Sequence, residues 1–155
     1  MKLSKKTDYA LRAVFTLVEA YEFRHPIPIR ELARRNDIPK RFLEHIMLDL
    51  KAKGWVESIP GAHGGYRLAK NPEQIALGEI VRHFDGILAP IGCVSVTGYE
   101  RCSQEPLCRF RRVMLDIRNY VAGLMDNASL AAVFRGKPVT TEEVFSDRLV
   151  GGAGI

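Results

Sequence analysis

The stretch CVSVTGYERCSQEPLC, residues 93–108, holds all three cysteines of a 155-residue chain. Cys93, Cys102 and Cys108 follow the spacing C-x8-C-x5-C. Soft thiolates suit iron–sulfur clusters and zinc. A two-iron or four-iron cluster usually takes four protein ligands. Three cysteines leave one position for another group, and a weaker, non-thiolate ligand there makes a cluster more exchangeable, as a sensor requires. Zinc is the rival, because three thiolates with one Asp or His complete a tetrahedral site. Metal-free redox thiols are a further alternative. Burial as plain structural thiols fits poorly, since TGYERCSQEP is polar and turn-rich. A thiol enzyme has less support: there is no C-x-x-C pair, and no histidine lies near the cysteines in sequence.

The elements that position these residues carry an uneven charge. The net charge is +5. Residues 1–70 hold 14 Lys and Arg against 8 Asp and Glu, so the whole excess lies in the first half. A basic half is the electrostatic footprint expected for a polyanionic partner. A hydrophobic fraction of 46% is that of a globular chain. Asp8, Arg12 and Glu19 interrupt the apolar part of the N-terminus, which argues against a secretory signal. No stretch approaches the roughly 18 apolar residues of a membrane span. The expectation is a soluble cytoplasmic protein without a membrane partner, in which thiols serve as ligands or redox groups rather than a disulfide framework.

Apolar spacing predicts a first helix over about 5–22, with Ser4 as N-cap. HPIP breaks the chain. IRELARRN predicts a short second helix, and Pro39 starts a third that runs to about Lys53 and stops at Gly54. Short helix, tight turn and second helix form a helix-turn-helix. Phe42, Leu43, Ile46, Met47 and Leu50 make one apolar stripe on the third helix. Lys40, Arg41, Glu44, His45 and Leu48 lie outside it. In a major groove Arg41 suits guanine, Glu44 the cytosine amino group, and Leu48 a thymine methyl. Two β-prone runs, 55–59 and 66–69, flank a Gly-rich turn and predict a hairpin wing. Its His63, Gly64, Gly65, Tyr66 and Arg67 are candidate DNA contacts. Lys5, Lys6, Arg41, Lys51, Lys53 and Arg67 are candidate phosphate contacts. The predicted fold class is mainly α with a small β wing.

With these motifs in place, the chain resembles the Rrf2 family of bacterial winged-helix transcription regulators, which includes the iron–sulfur cluster regulator and the nitric-oxide-sensing repressor. The resemblance is carried by LSKKTDYALRA, IPKRFLEHIMLDLKAKGWVESIPGAHGGYRL, ALGEIVRHFDG, the three-cysteine segment and DNASLAAV, over about residues 1–134. It implies a homodimeric regulator, expected to be a repressor, on a partly palindromic double-stranded operator. It also implies an iron–sulfur cluster on Cys93, Cys102 and Cys108 that controls DNA binding. The chain departs from the pattern in places. Family members of the cluster-regulator type often carry Arg before the wing glycines, where this chain has Pro60, so minor-groove reading passes to His63 or Arg67. The usual spacing of the first two cysteines is tighter. The cluster regulators place a histidine three residues after the third cysteine, where Arg111 stands. The nitric-oxide-sensing branch uses an aspartate of the first helix, and Asp8 stands at the matching position. Asp8 is thus the implied fourth ligand, with Glu100, Glu105 and His83 as alternatives. A zinc-containing or metal-free regulator that answers a small molecule remains the alternative function.

Beyond the wing, the expected organisation is a winged domain over 1–70, a linking helix and cysteine loop over 71–107, a dimerisation segment over 108–134, and a partly disordered tail over 135–155 that ends in GGAGI. Phe110, Met114, Ile117, Val121, Leu124 and Ala128 are spaced 4, 3, 4, 3, 4, an a/d seam that predicts a long C-terminal dimerisation helix. Gly123 weakens that helix by about 1 kcal/mol against Ala.

Overall fold

A computed structural model describes residues 2–86 and 88–146 of the chain. The GGAGI tail lies outside the described residues. Helix α1 spans Lys5–Glu19, and the Ser4 hydroxyl accepts from the Thr7 N–H as its N-cap. Helices α2 (Ile29–Asn36) and α3 (Lys40–Ala52) follow. Gly54, at φ +70°, turns the chain out of α3 in a conformation that costs glycine little. Strands β1 (Val56–Ile59) and β2 (Gly65–Leu68) pair antiparallel, with Val56 opposite Leu68 and Ile59 opposite Gly65. Ile27 bridges to Tyr66 on the outer side of β2, through N–H to carbonyl bonds of 2.8 and 2.9 Å. The wing is therefore tied to the loop between α1 and α2. This mainly helical fold with one two-stranded sheet is the architecture expected from the sequence.

A single-turn 3-10 segment at Pro72–Gln74 leads to α4 (Leu77–Asp85). After the cysteine loop come α5 (Arg111–Asp126), α6 (Leu130–Arg135) and the short α7 (Thr141–Val144), which lies within the segment expected as tail. The core crosses the boundary drawn at residue 70. Leu17, Leu32, Leu43, Ile46 and Leu50 are fully buried beside Ile75, Ile80 and Leu130. Ala76 bridges to Ser129, the Leu77 N–H donates to the Ala128 carbonyl, and the Leu130 N–H donates to the Ile75 carbonyl. The chain leaves the core after α4 and returns to it at α6.

Helix α5 makes the excursion, and it buries no residue. Half-buried Met114, Leu115, Arg118, Val121 and Ala122 lie on the side of α5 away from its exposed apolar row. Phe110, Val113, Ile117, Tyr120 and Leu124 are exposed, at spacing 3, 4, 3, 4. The exposed apolar row is thus rotated from the seam read in the sequence: Val113 and Tyr120 take the places given to Met114 and Val121. Both rows satisfy the same a/d spacing, and only the packing of α5 beside α4 distinguishes them.

Candidate nucleic-acid interface and cysteine cleft

Helix α3 buries Leu43, Ile46, Met47 and Leu50. Phe42, assigned to the same stripe, is 43% exposed and meets Tyr9 edge-on, because it stands in the first turn where α1 covers only part of the helix. The outward face presents Arg41, His45 and Leu48, with Leu48 59% exposed. An isolated exposed leucine is ordinary; flanked by Arg41 and His45 it forms a face with donors and an apolar contact. The His45 Nδ1 lies 2.9 Å from the Arg41 carbonyl, which can only accept, so the ring donates there and turns Nε2 outward. Lys40 pairs with Glu44 at 3.2 Å. Arg41 pairs with no carboxylate among the described residues.

The remaining candidate cations divide in the same way. Lys6 is held by Asp49 at 2.7 Å, which keeps the Asp49 carboxyl below its usual range. Arg67 is held across the wing by Glu57 at 2.6 Å. Lys51 donates to the Ser58 hydroxyl at 2.6 Å, which braces α3 against β1 and leaves its charge uncompensated. Lys5 lies over the Tyr9 ring, and Lys53 follows α3 as an exposed residue. On the wing His63 is exposed at the tip, while Tyr66 is half-buried against the core. Both wing glycines have an internal requirement. A Cβ at Gly64 would lie 2.1 Å from the Ile59 carbonyl oxygen, and one at Gly65 would lie 2.3 Å from that of Ile27.

The cysteine loop is irregular apart from a 3-10 turn at Gly92–Val94. All three thiols are free. Cys93 and Cys108 line one open cleft of about 440 Å³, with Glu105, Arg111, Arg112 and Arg118 around them. Cys102 is exposed and lies outside that lining. Among the described residues no group of three His, Cys, Asp or Glu gathers closely enough to hold a metal. Arg111 donates to the Cys93 carbonyl at 2.8 Å and approaches Glu105 at 3.3 Å. Glu105 also accepts from the Tyr99 hydroxyl at 2.8 Å and from the Cys102 N–H at 3.1 Å. The Tyr99 bond, then the Cys102 bond, hold its carboxyl below the usual range.

The four proposed non-cysteine ligands fall in different places. Asp8 is held by Arg12 through two bonds of 2.8 and 2.9 Å; it lines one hollow shared with α4, Leu88 and Ala89 and another along α1, and does not line the cysteine cleft. Glu100 packs over Gly92, beside Cys93. Glu105 lines the cleft itself. His83 is packed edge-on between Trp55 and Phe84, away from the cysteines. The arginines around the cleft were not anticipated as site residues. Their signal was available, since Arg111 and Arg118 stand seven apart and so share a face of α5.

A family model described as iron-dependent transcriptional regulator, Rrf2, matches residues 3–136. The chain belongs to the Rrf2 family. This Rrf2 regulator is 39% identical over 133 residues to an rrf2-like HTH-type transcriptional regulator of Rhodobacter capsulatus, covering 83% of this chain and 89% of that protein. It is 32% identical over 131 residues to the HTH-type transcriptional regulator NsrR of Geobacillus kaustophilus, covering 84% and 88%. In structure it is similar to CymR, the global cysteine regulator of B. subtilis, with a TM-score of 0.71 at 27% identity over 86% of this chain and 96% of that one. It is therefore an Rrf2-type transcriptional regulator, and acts on DNA as its family does. Among the described residues no helix is long and apolar enough to cross a membrane.

Proposed function

We propose that this Rrf2 regulator binds a partly palindromic operator as a homodimer and that an iron–sulfur cluster on Cys93, Cys102 and Cys108 governs the binding. The carrying observation is the juxtaposition on one short chain of an outward α3 face, Arg41, His45 and Leu48, with a loop holding every thiol just ahead of an uncovered apolar helix. Two copies joined along α5 would present two α3–wing units to two half-sites, one or two helical turns apart.

The donor set fits such a cluster in kind. Three free sulfur donors share one irregular loop, and two of them, Cys93 and Cys108, line the same cleft. A bound cluster supplies a redox-active group that oxygen or nitric oxide can attack. The chain's own part is to hold it with Cys93 and Cys108 from the cleft walls and Cys102 from the exposed stretch between them. Asp8, which does not line this cleft, would serve as fourth ligand from another part of the fold or from the partner subunit, giving up its Arg12 bonds to do so. A second reading has its own support: only Cys93 and Cys108 share the cleft, and the structurally similar CymR is a global cysteine regulator. In that reading the thiols act without metal.

Visible absorbance of anaerobically purified protein, with operator binding followed by fluorescence anisotropy, separates the two. The cluster reading expects a coloured protein whose colour and DNA binding change together on exposure to air or nitric oxide. It further expects each Cys→Ala variant to lose stable colour, and Asp8→Ala to assemble a cluster that bleaches faster. A colourless protein that binds its operator under thiol control alone overturns the cluster reading. Unchanged bleaching and DNA control in Asp8→Ala remove Asp8 and move the search to Glu100 and Glu105.

A further inference from the structure

We infer that a second hollow, between α4, α5 and the start of the cysteine loop, is a binding site for a small organic monocarboxylate, with Arg118 as its anchor. The hollow is about 260 Å³. Its walls are mainly apolar, from Leu88, Ala89, Val96 and Ala122, and Ser95 and Arg118 reach it as well. That volume lies just below the range of ligand pockets, which begins at about 300 Å³, so the occupant is metabolite-sized.

The charges select the ligand class. Arg82, Arg111 and Arg112 each have a carboxylate: Asp126, Glu105 and Asp116. Arg118 has none among the described residues, and its buried Nε meets no acceptor. A buried donor without a partner is costly, and native structures leave few. Asp126 lines the same hollow but is neutralised by Arg82. One positive charge is therefore left over. Ser95 is 6% exposed; its hydroxyl oxygen accepts from the Gly98 N–H at 2.9 Å, and its proton has no acceptor among the described residues. A carboxylate can accept from the Ser95 hydroxyl and from the guanidinium of Arg118, whose Nε is covered in this conformation and is reached once the side chain turns toward the ligand. Its apolar body would lie against Leu88, Val96 and Ala122. A doubly charged phosphate would leave one charge uncompensated beside these walls and Asp126.

Ser95, Val96 and Arg118 line both this hollow and the cysteine cleft, so they form a common wall. A ligand held there fixes the loop beside Cys93, which makes the hollow an effector site adjoining the sensor loop. The site contains no sulfur atom and does not depend on the cluster reading.

Thermal denaturation and titration calorimetry test it with sodium hexanoate, hexanamide and sodium phosphate as ligands. They are applied to the parent protein and to the variant with all three cysteines changed to Ser. Millimolar hexanoate should raise the melting midpoint of both proteins, whereas hexanamide and phosphate at equal concentration should not. Arg118→Gln should weaken hexanoate by about tenfold or more, as loss of a charge-assisted pair implies, and Ser95→Ala by less. A parent protein indifferent to hexanoate overturns the inference, whether or not Arg118→Gln alters the association state. So does a parent that answers hexanoate and hexanamide alike, a comparison that needs no variant to fold.

Discussion

Arg41 and Lys51 are the two cations of α3 with no carboxylate partner among the described residues, yet they face different tasks. Arg41 stands on the outward face one turn from His45, and Lys51 leans on Ser58 at the root of the wing. Arg41→Ala should cost about 1–3 kcal/mol on a selected operator and blur the preference at one base position. Lys51→Ala should weaken all sequences alike and reduce the salt slope by about one. Equal operator binding by the parent and Arg41→Ala proteins, measured by anisotropy, would mean that this face does not read DNA. A second residue-scale effect concerns His83. Burial, then the nearby Lys53, lowers its pKa below the usual histidine value, although Asp49 opposes the shift. The unfolded chain therefore binds a proton more readily than the fold. The contribution is fully present above about pH 6.5 and is lost as pH falls below it. Urea unfolding followed by Trp55 fluorescence should show a lower midpoint at pH 5.5 than at pH 7.5, and His83→Phe should narrow that difference. An equal difference in the variant would assign the pH dependence to other groups.

At the scale of elements, α5 and α6 ask for opposite treatment. In the proposed dimer the outward row of α5 would offer Ile117 and Tyr120 to the second copy, so Ile117→Asp with Tyr120→Asp would set like charges against each other across a symmetric seam. Light scattering should find that variant monomeric with its helical circular dichroism retained, because neither residue supports its own chain's core. A persistent dimer would place the interface elsewhere. Leu130 of α6, in contrast, is fully buried in the winged core. Leu130→Ala should cost about 2–5 kcal/mol, read as a lower denaturation midpoint, and a loss within 0.5 kcal/mol would contradict that burial. Much of this was legible beforehand. Helices α1 and α3 carry strong 3.6-residue periodicity, with a capping serine before one and Gly54 after the other. The wing has β-prone runs about a glycine turn. The bridge from Ile27 to β2 was not legible, since two prolines bracket that residue and one bridging residue has no period. The orientation of α5 was not legible either, because two rows of the helix satisfy one heptad rule.

For the whole molecule, the cysteine window was visible as a composition anomaly, but its geometry was not. No local rule placed Cys102 outside the cleft shared by Cys93 and Cys108, or surrounded that cleft with arginines from the next helix. Those facts depend on where α5 lies against α4. The charge asymmetry was visible as well. Its value as a guide to DNA was blunted by pairing within the fold, since Lys6, Lys40 and Arg67 are held by Asp49, Glu44 and Glu57.

The bridge between Ala76 and Ser129 also bears on the chain's birth at the ribosome. Synthesis delivers the helix-turn-helix and wing first, but Leu130, which completes their core, only much later. Until then the nascent winged unit lacks one wall. The cysteines, lying between, emerge while that wall is still missing, so the fold closes around a cysteine segment that is already present. A DNA-binding unit of this construction cannot mature ahead of the cysteine loop that follows it.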